Sequence, residues 1–156
     1  MKMDGEYILP TNVKNVWNNL NDPIVLKNSI PGCTELTKDS DNEFKATVTI
    51  KIGPVSAKFK GEVKLSNIRV YKGYTISGNG KGGAAGFAKG SANINLEEKD
   101  ETTILKYSVE AQIGGKLAQL GSRLIDSTSK KLAGKFFDNF VKIVDGTTKI
   151  EEGKNE

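Results

Sequence analysis

The sequence predicts an α+β fold in which a curved antiparallel sheet of about seven strands wraps one long C-terminal helix. Three observations carry that prediction. From Gly114 to about Asp145, apolar residues recur in steps of three and four: Leu117, Leu120, Leu124, Ile125, Leu132, Phe136, Phe140, Val141 and Val144. That is one apolar stripe held for about eight helical turns. Between Cys33 and Ile113 the period is instead two, the mark of half-buried antiparallel strands. A single helix cannot bury its own stripe, and those strands are the only element broad enough to cover it.

The elements follow in order. Residues 3 to 9 alternate briefly (Met3, Gly5, Tyr7, Leu9) and form a first strand stopped by Pro10. Thr11 or Asn12 can cap a helix with apolar positions Val13, Val16, Trp17 and Leu20. Asp22-Pro23 reads as a second cap with proline in the first turn, opening a short helix that must end before Pro31. In the next strands Phe44, Ala46, Val48, Ile50 and Ile52 alternate with polar residues. After a Gly53-Pro54 turn, Val55, Ala57, Phe59, Gly61, Val63 and Leu65 do the same. Weaker alternation spans Val70 to Ser77, and residues 84 to 96 follow with Ala88, Gly90, Ala92, Ile94 and Leu96 on one face. Leu105, Tyr107, Val109, Ala111 and Ile113 mark the last strand. Such a meander curls by its own twist, and the helix fills the concave side in a helix-grip arrangement. The expected domain is residues 1–145, with a polar tail, 146–156, expected to fray.

Composition narrows the function. The 156 residues suit one domain, and 37% hydrophobic with 27% charged residues is ordinary for a globular protein. A net charge of +4 is too weak an excess to imply nucleic acid. The lone Cys33 excludes an intramolecular disulfide. No secretory h-region and no membrane-length apolar run occurs, which leads to the expectation of a cytoplasmic protein, at most peripheral to a membrane. The chain has no histidine, which removes Ser-His-Asp and Cys-His catalysis, histidine metal sites and histidine pH switching. Glu43, Glu62 and Glu110 all fall on polar strand faces, so no carboxylate pair is assembled for acid-base work. No metal site, catalytic residue or cofactor is expected.

The glycine-rich run Gly78 to Gly86 lacks the Gly-Lys-Ser/Thr ending of a phosphate loop and continues as a strand, so a bent hairpin is expected there. Small residues on the face toward the helix (Ala88, Gly90, Ala92) and on the helix (Ala118, Gly121, Ala133) either bring backbones together or leave a void. The candidates to line such a cavity are Trp17, Phe59, Tyr74, Phe87, Ala88, Gly90, Tyr107, Leu117, Leu120, Gly121 and Leu124. Phe87 is anomalous, because it shares the alternation of Lys89, Ser91 and Asn93. It is a cover for an opening, a partner-facing anchor or a stray surface aromatic. Lys130, Lys131, Lys135 and Lys142 give the long helix a basic flank, which a solvated face explains and an anionic membrane or partner contact would use.

Several stretches together resemble the carbon monoxide dehydrogenase G-subunit family, of the START-like helix-grip superfamily. They are the Trp17-containing helix, Asp22-Pro23, Ile30-Pro31-Gly32-Cys33, Ile52-Gly53-Pro54, Gly86-Phe87-Ala88-Lys89-Gly90, and the run Gly114 to Ile125. The resemblance covers residues 1 to about 145. It implies a hydrophobic cavity between sheet and helix and a non-catalytic accessory protein that binds an apolar molecule, lipid or quinone-like. It also implies a role in the maturation or membrane association of a molybdenum hydroxylase. Some members end in a hydrophobic anchor, whereas this sequence ends in the polar GTTKIEEGKNE. Two other readings remain: a cyclase or aromatase-type enzyme using the same cavity, and a ligand-free interaction subunit.

Overall fold

The computed structural model of the chain describes residues 1–146, and the polar tail lies outside the described residues. One seven-stranded antiparallel sheet runs in the order β1-β7-β6-β5-β4-β3-β2. Its strands are β1 (Lys2–Leu9), β2 (Cys33–Ser40), β3 (Glu43–Ile52), β4 (Val55–Arg69), β5 (Gly73–Lys81), β6 (Phe87–Lys99) and β7 (Thr102–Gly114). Six consecutive strands form a meander, and β1 joins it by pairing with β7 from Lys2 opposite Glu110 to Leu9 opposite Thr103.

Two short helices turn the corner between β1 and β2: α1 (Val13–Leu20) and α2 (Pro23–Ser29). Both start where the capping residues dictate. The Asn12 carboxamide oxygen accepts from the Asn15 amide at 2.8 Å, and the Asp22 carboxylate accepts from the Ile24 amide at 2.9 Å. Pro23 occupies the first turn, where its missing N–H costs nothing. Val16, Trp17, Leu20 and Val25 are the apolar residues these helices bury.

The C-terminal helix is shorter than the apolar periodicity predicts. Residues Gly115–Leu120 form a 3-10 segment, and the α-helix proper, α3, spans Ser122–Val144. Its 23 residues give about 35 Å of length. Gly121 causes the break, with φ 94°, a left-handed conformation that no α-helix interior contains. The stripe from Leu117 to Leu124 looks continuous in the sequence because a 3-10 turn also places apolar residues three apart.

Two apolar clusters, at opposite ends of the sheet, hold the fold together. The larger unites Leu9, Val16, Trp17, Leu20, Val25, Phe44, Leu65, Tyr74, Ile94, Leu96, Leu105, Phe137 and Phe140. Phe140 and Leu9 are fully enclosed there. Phe137, which lies beside the main stripe in the sequence, is buried because its ring stacks on Tyr7 at 4.1 Å between centroids. The smaller cluster centres on Phe59, Ala85 and Leu117, with Ile50, Ile52, Val55, Ala57, Ile113 and Leu120 packed half-buried around it.

Candidate functional site

The strand register shows what separates the two clusters. Read across β3 to β7 on the inner face, one row is Ala46, Gly61, Gly80, Ala88 and Ile113. The adjacent row is Phe44, Val63, Gly78, Gly90 and Ala111. Five of these positions in the middle of the sheet are glycine or alanine on β4, β5 and β6. One row farther toward the large cluster, Leu65, Ile76, Ala92 and Val109 begin to refill the surface. Beyond it stand Tyr74, Ile94 and Tyr107.

Side chains this small cannot reach a helix carried on the bulky residues at either end. The result is an open apolar cavity of about 290 Å³, bordered by Val63, Ile76, Gly78, Ala88, Ala92 and Ala111 among others. α3 crosses from one end of the sheet to the other. Leu124 sits beside the β3–β4 turn at Gly53, while at the far end Asn139 donates to the Ser29 carbonyl at 3.1 Å. No α3 residue borders the cavity, so the helix stands off from the floor in its middle. With Ile125, Phe137 and Phe140 defining the buried face, 3.6-residue periodicity puts Ser129 and Ala133 along its centre. Small residues thus occupy both sides of the gap.

The structure distributes the eleven sequence candidates over several places. Ala88 and Gly90 border the cavity. Trp17 and Tyr74 belong to the large cluster and pack edge-on at 5.5 Å. Tyr107 stands two rows from the cavity centre, its ring laid across Gly5, where a Cβ would overlap it. Phe59, Leu117 and Leu120 make the small cluster, and Leu124 and Gly121 lie at the start of α3. Phe87 is on the outer face, 45% exposed, with its ring over Gly114 and away from the cavity. Sequence reasoning misses Val63, Ile76, Gly78, Gly80 and Ala111 as cavity-bordering residues. Gly78 and Gly80 carry a signal, since they alternate as a strand face should, but cross-strand register is needed to align them with Gly61 and Gly90.

The electrostatics of the site are sparse. Burial pushes the Tyr74 phenol far up, so it stays protonated at any physiological pH. The Tyr107 phenol is also raised, first by burial, then by the neighbouring Tyr7 and Asp4. The Cys33 thiol is raised chiefly by burial, which leaves it a poor nucleophile. Among the described residues, no group of three His, Cys, Asp or Glu side chains could hold a metal ion. No helix among them is long and apolar enough to cross a membrane.

The family model of the carbon monoxide dehydrogenase G subunit (CoxG) matches residues 5–144. The chain belongs to the CoxG family. Among solved structures, a conserved protein from Geobacillus kaustophilus is 30% identical, with a TM-score of 0.88 over 97% of this chain and 100% of that one. A START superfamily protein from Mycobacterium smegmatis has a TM-score of 0.70 at 9% identity, covering 94% and 99% of the two chains. The Zhui aromatase/cyclase from Streptomyces sp. R1128 has a TM-score of 0.63 at 8% identity, covering 93% of each. These last two likenesses establish the START-like, helix-grip fold of this CoxG family member. No curated protein matches the chain in sequence.

Proposed function

We propose that this CoxG family member is a non-catalytic carrier of an apolar molecule, lipid or quinone-like, held between the sheet and α3. It serves a molybdenum hydroxylase from the cytoplasmic side, in maturation or in association with the membrane. The observation that carries the reading is the cavity itself. Two packed clusters flank a floor of glycine and alanine, a place where a folded core would otherwise lose stability through unfilled space. Family membership supports the link to a molybdenum hydroxylase.

A cyclase-type reaction in the same cavity would need a titratable group facing it. Tyr107 and Tyr7 pack against the large cluster and do not border the cavity, and Lys89, which does, belongs to the alternation of the outer face. The raised pKa of Tyr107 suits it to donate a hydrogen bond rather than to act as a base. The cavity borders supply no carboxylate. The carrier reading therefore has the better physical support.

Native mass spectrometry of the purified full chain tests it. The expected spectrum contains a protein plus one apolar adduct, and pull-down from the source cells recovers molybdenum hydroxylase subunits. Only apo protein, before and after incubation with lipid extract, would refute the carrier reading.

A further inference from the structure

The outer face of the sheet gathers lysines toward its Gly53-Pro54 end, where Phe87 is left 45% exposed. On the outer side, the register aligns Thr47, Lys60, Lys81, Phe87 and Gly114 across β3 to β7. Lys60 and Lys81 are therefore directly opposite each other, a like-charge pair that destabilises a sheet unless something anionic relieves it. Lys89 stands two residues from Phe87 on the same face, and Lys58 two residues from Lys60. All four lysines are exposed, and none has a carboxylate at ion-pair distance among the described residues. Glu35, opposite Thr47, and Glu62, next to Lys60 on the same face, are the acids on this part of the sheet.

The shape of this face also points to a partner. Beside the Phe87 row runs a trough of about 1030 Å³ that crosses β3 to β7, lined by Gly78, Gly90, Ala111, Asn79 and Lys89 among others. On its other side Glu43 and Glu110 share their row with Lys64, while on the Phe87 side Lys45 and Lys89 outnumber Glu62. The same glycines floor the cavity on the inner side, so the sheet is thin here from both directions. Phe87 opens β6 at the end of the sheet, and its ring lies down on Gly114, the last residue of β7. A ring held down on the strands suits cover by a segment laid across them better than insertion into a lipid layer.

We propose that this face, centred on Lys60, Lys81, Phe87 and Lys89, docks an acidic, extended polypeptide segment of a partner protein. The carboxylates of the segment would face the lysines, and an apolar side chain of it would cover the Phe87 ring. Steering by the lysines favours a fast encounter, while the aromatic anchor holds the bound state. This inference is independent of what fills the inner cavity.

The test uses the full chain, isotopically labelled, titrated with a fluorescein-tagged peptide of alternating glutamate and leucine. Backbone NMR shifts are expected to change in residues 58–62, 79–81 and 87–91. Phe87→Ala, or Lys60→Gln with Lys81→Gln, should each weaken peptide binding about tenfold. The charge-matched control Lys130→Gln with Lys131→Gln should leave it unchanged. Lys81→Gln alone should also raise the melting temperature, which establishes that the variant folds. Equal loss in the control, or shifts confined to the α3 flank, would overturn the proposal. Vesicles of phosphatidylglycerol and phosphatidylcholine are the competing occupant: cosedimentation that Phe87→Ala abolishes, with no peptide binding, would likewise overturn it.

Discussion

The two ends of α3 rest on the sheet in different ways. At its C-terminal end, Phe137 and Phe140 enter a cluster that also holds both short helices and three rows of large strand residues. At its N-terminal end, Ile125 is the only buried residue of the first two turns, and Leu124 leans on a turn glycine. One end is anchored in the core, whereas the smaller cluster is reached by Leu117 and Leu120 of the 3-10 segment before α3 rather than by α3 itself. The difference teaches where stability resides: the large cluster supplies cohesion, which lets the middle of the sheet remain small and open.

Substitutions should reproduce that asymmetry. Phe140→Ala removes a fully enclosed ring and is expected to cost about 3 to 5 kcal/mol in urea unfolding. Leu105→Ala, in the same cluster, should cost about 2 to 5 kcal/mol. A loss below about 1 kcal/mol at either site would break the comparison. The pH dependence sharpens it. The raised pKa of Tyr74 means that above about pH 10 the unfolded chain loses a proton that the folded chain keeps. Stability should therefore be flat below about pH 10 and then fall by about 1.4 kcal/mol per pH unit from this residue. Tyr74→Phe should remove that part of the slope, and an unchanged alkaline profile would place Tyr74 outside the cohesive end.

Smaller effects follow at the periphery. Asn12→Ala deletes the α1 cap and should lower stability by about 1 kcal/mol, read as a shift in denaturation midpoint. Leu124→Ala, at the loosely held end, should cost about 1 kcal/mol or less, well below the value for a leucine sealed in a core. A cost like that of Leu105→Ala would mean that both ends of α3 are equally anchored.

Most of the architecture is legible in the chain because local chemistry decides it. Asn12, Asp22 and Pro23 fix both short helices, and the alternation from Phe44 to Ile52 fixes β3 with its buried face. The start of α3 is not legible, since Leu117, Leu120 and Leu124 keep a helical spacing across a glycine whose positive φ only the structure displays. The cavity is foreshadowed by small residues facing a helix, but its position depends on register, a long-range property that Gly78 or Ala111 does not carry alone. The alternation already sets Phe87 apart from the inward residues, and the structure puts it on the outer face over Gly114.

The proposed carrier role requires the gap beneath the middle of α3 to receive an apolar molecule. Its most direct measurement is a fluorescence titration with the neutral apolar dye N-phenyl-1-naphthylamine, comparing the natural chain with Ala92→Trp, which puts an indole into the cavity border. The expected result is one dye bound per chain and none in the variant, at unchanged cooperative unfolding. Equal binding by the two folded proteins would contradict it.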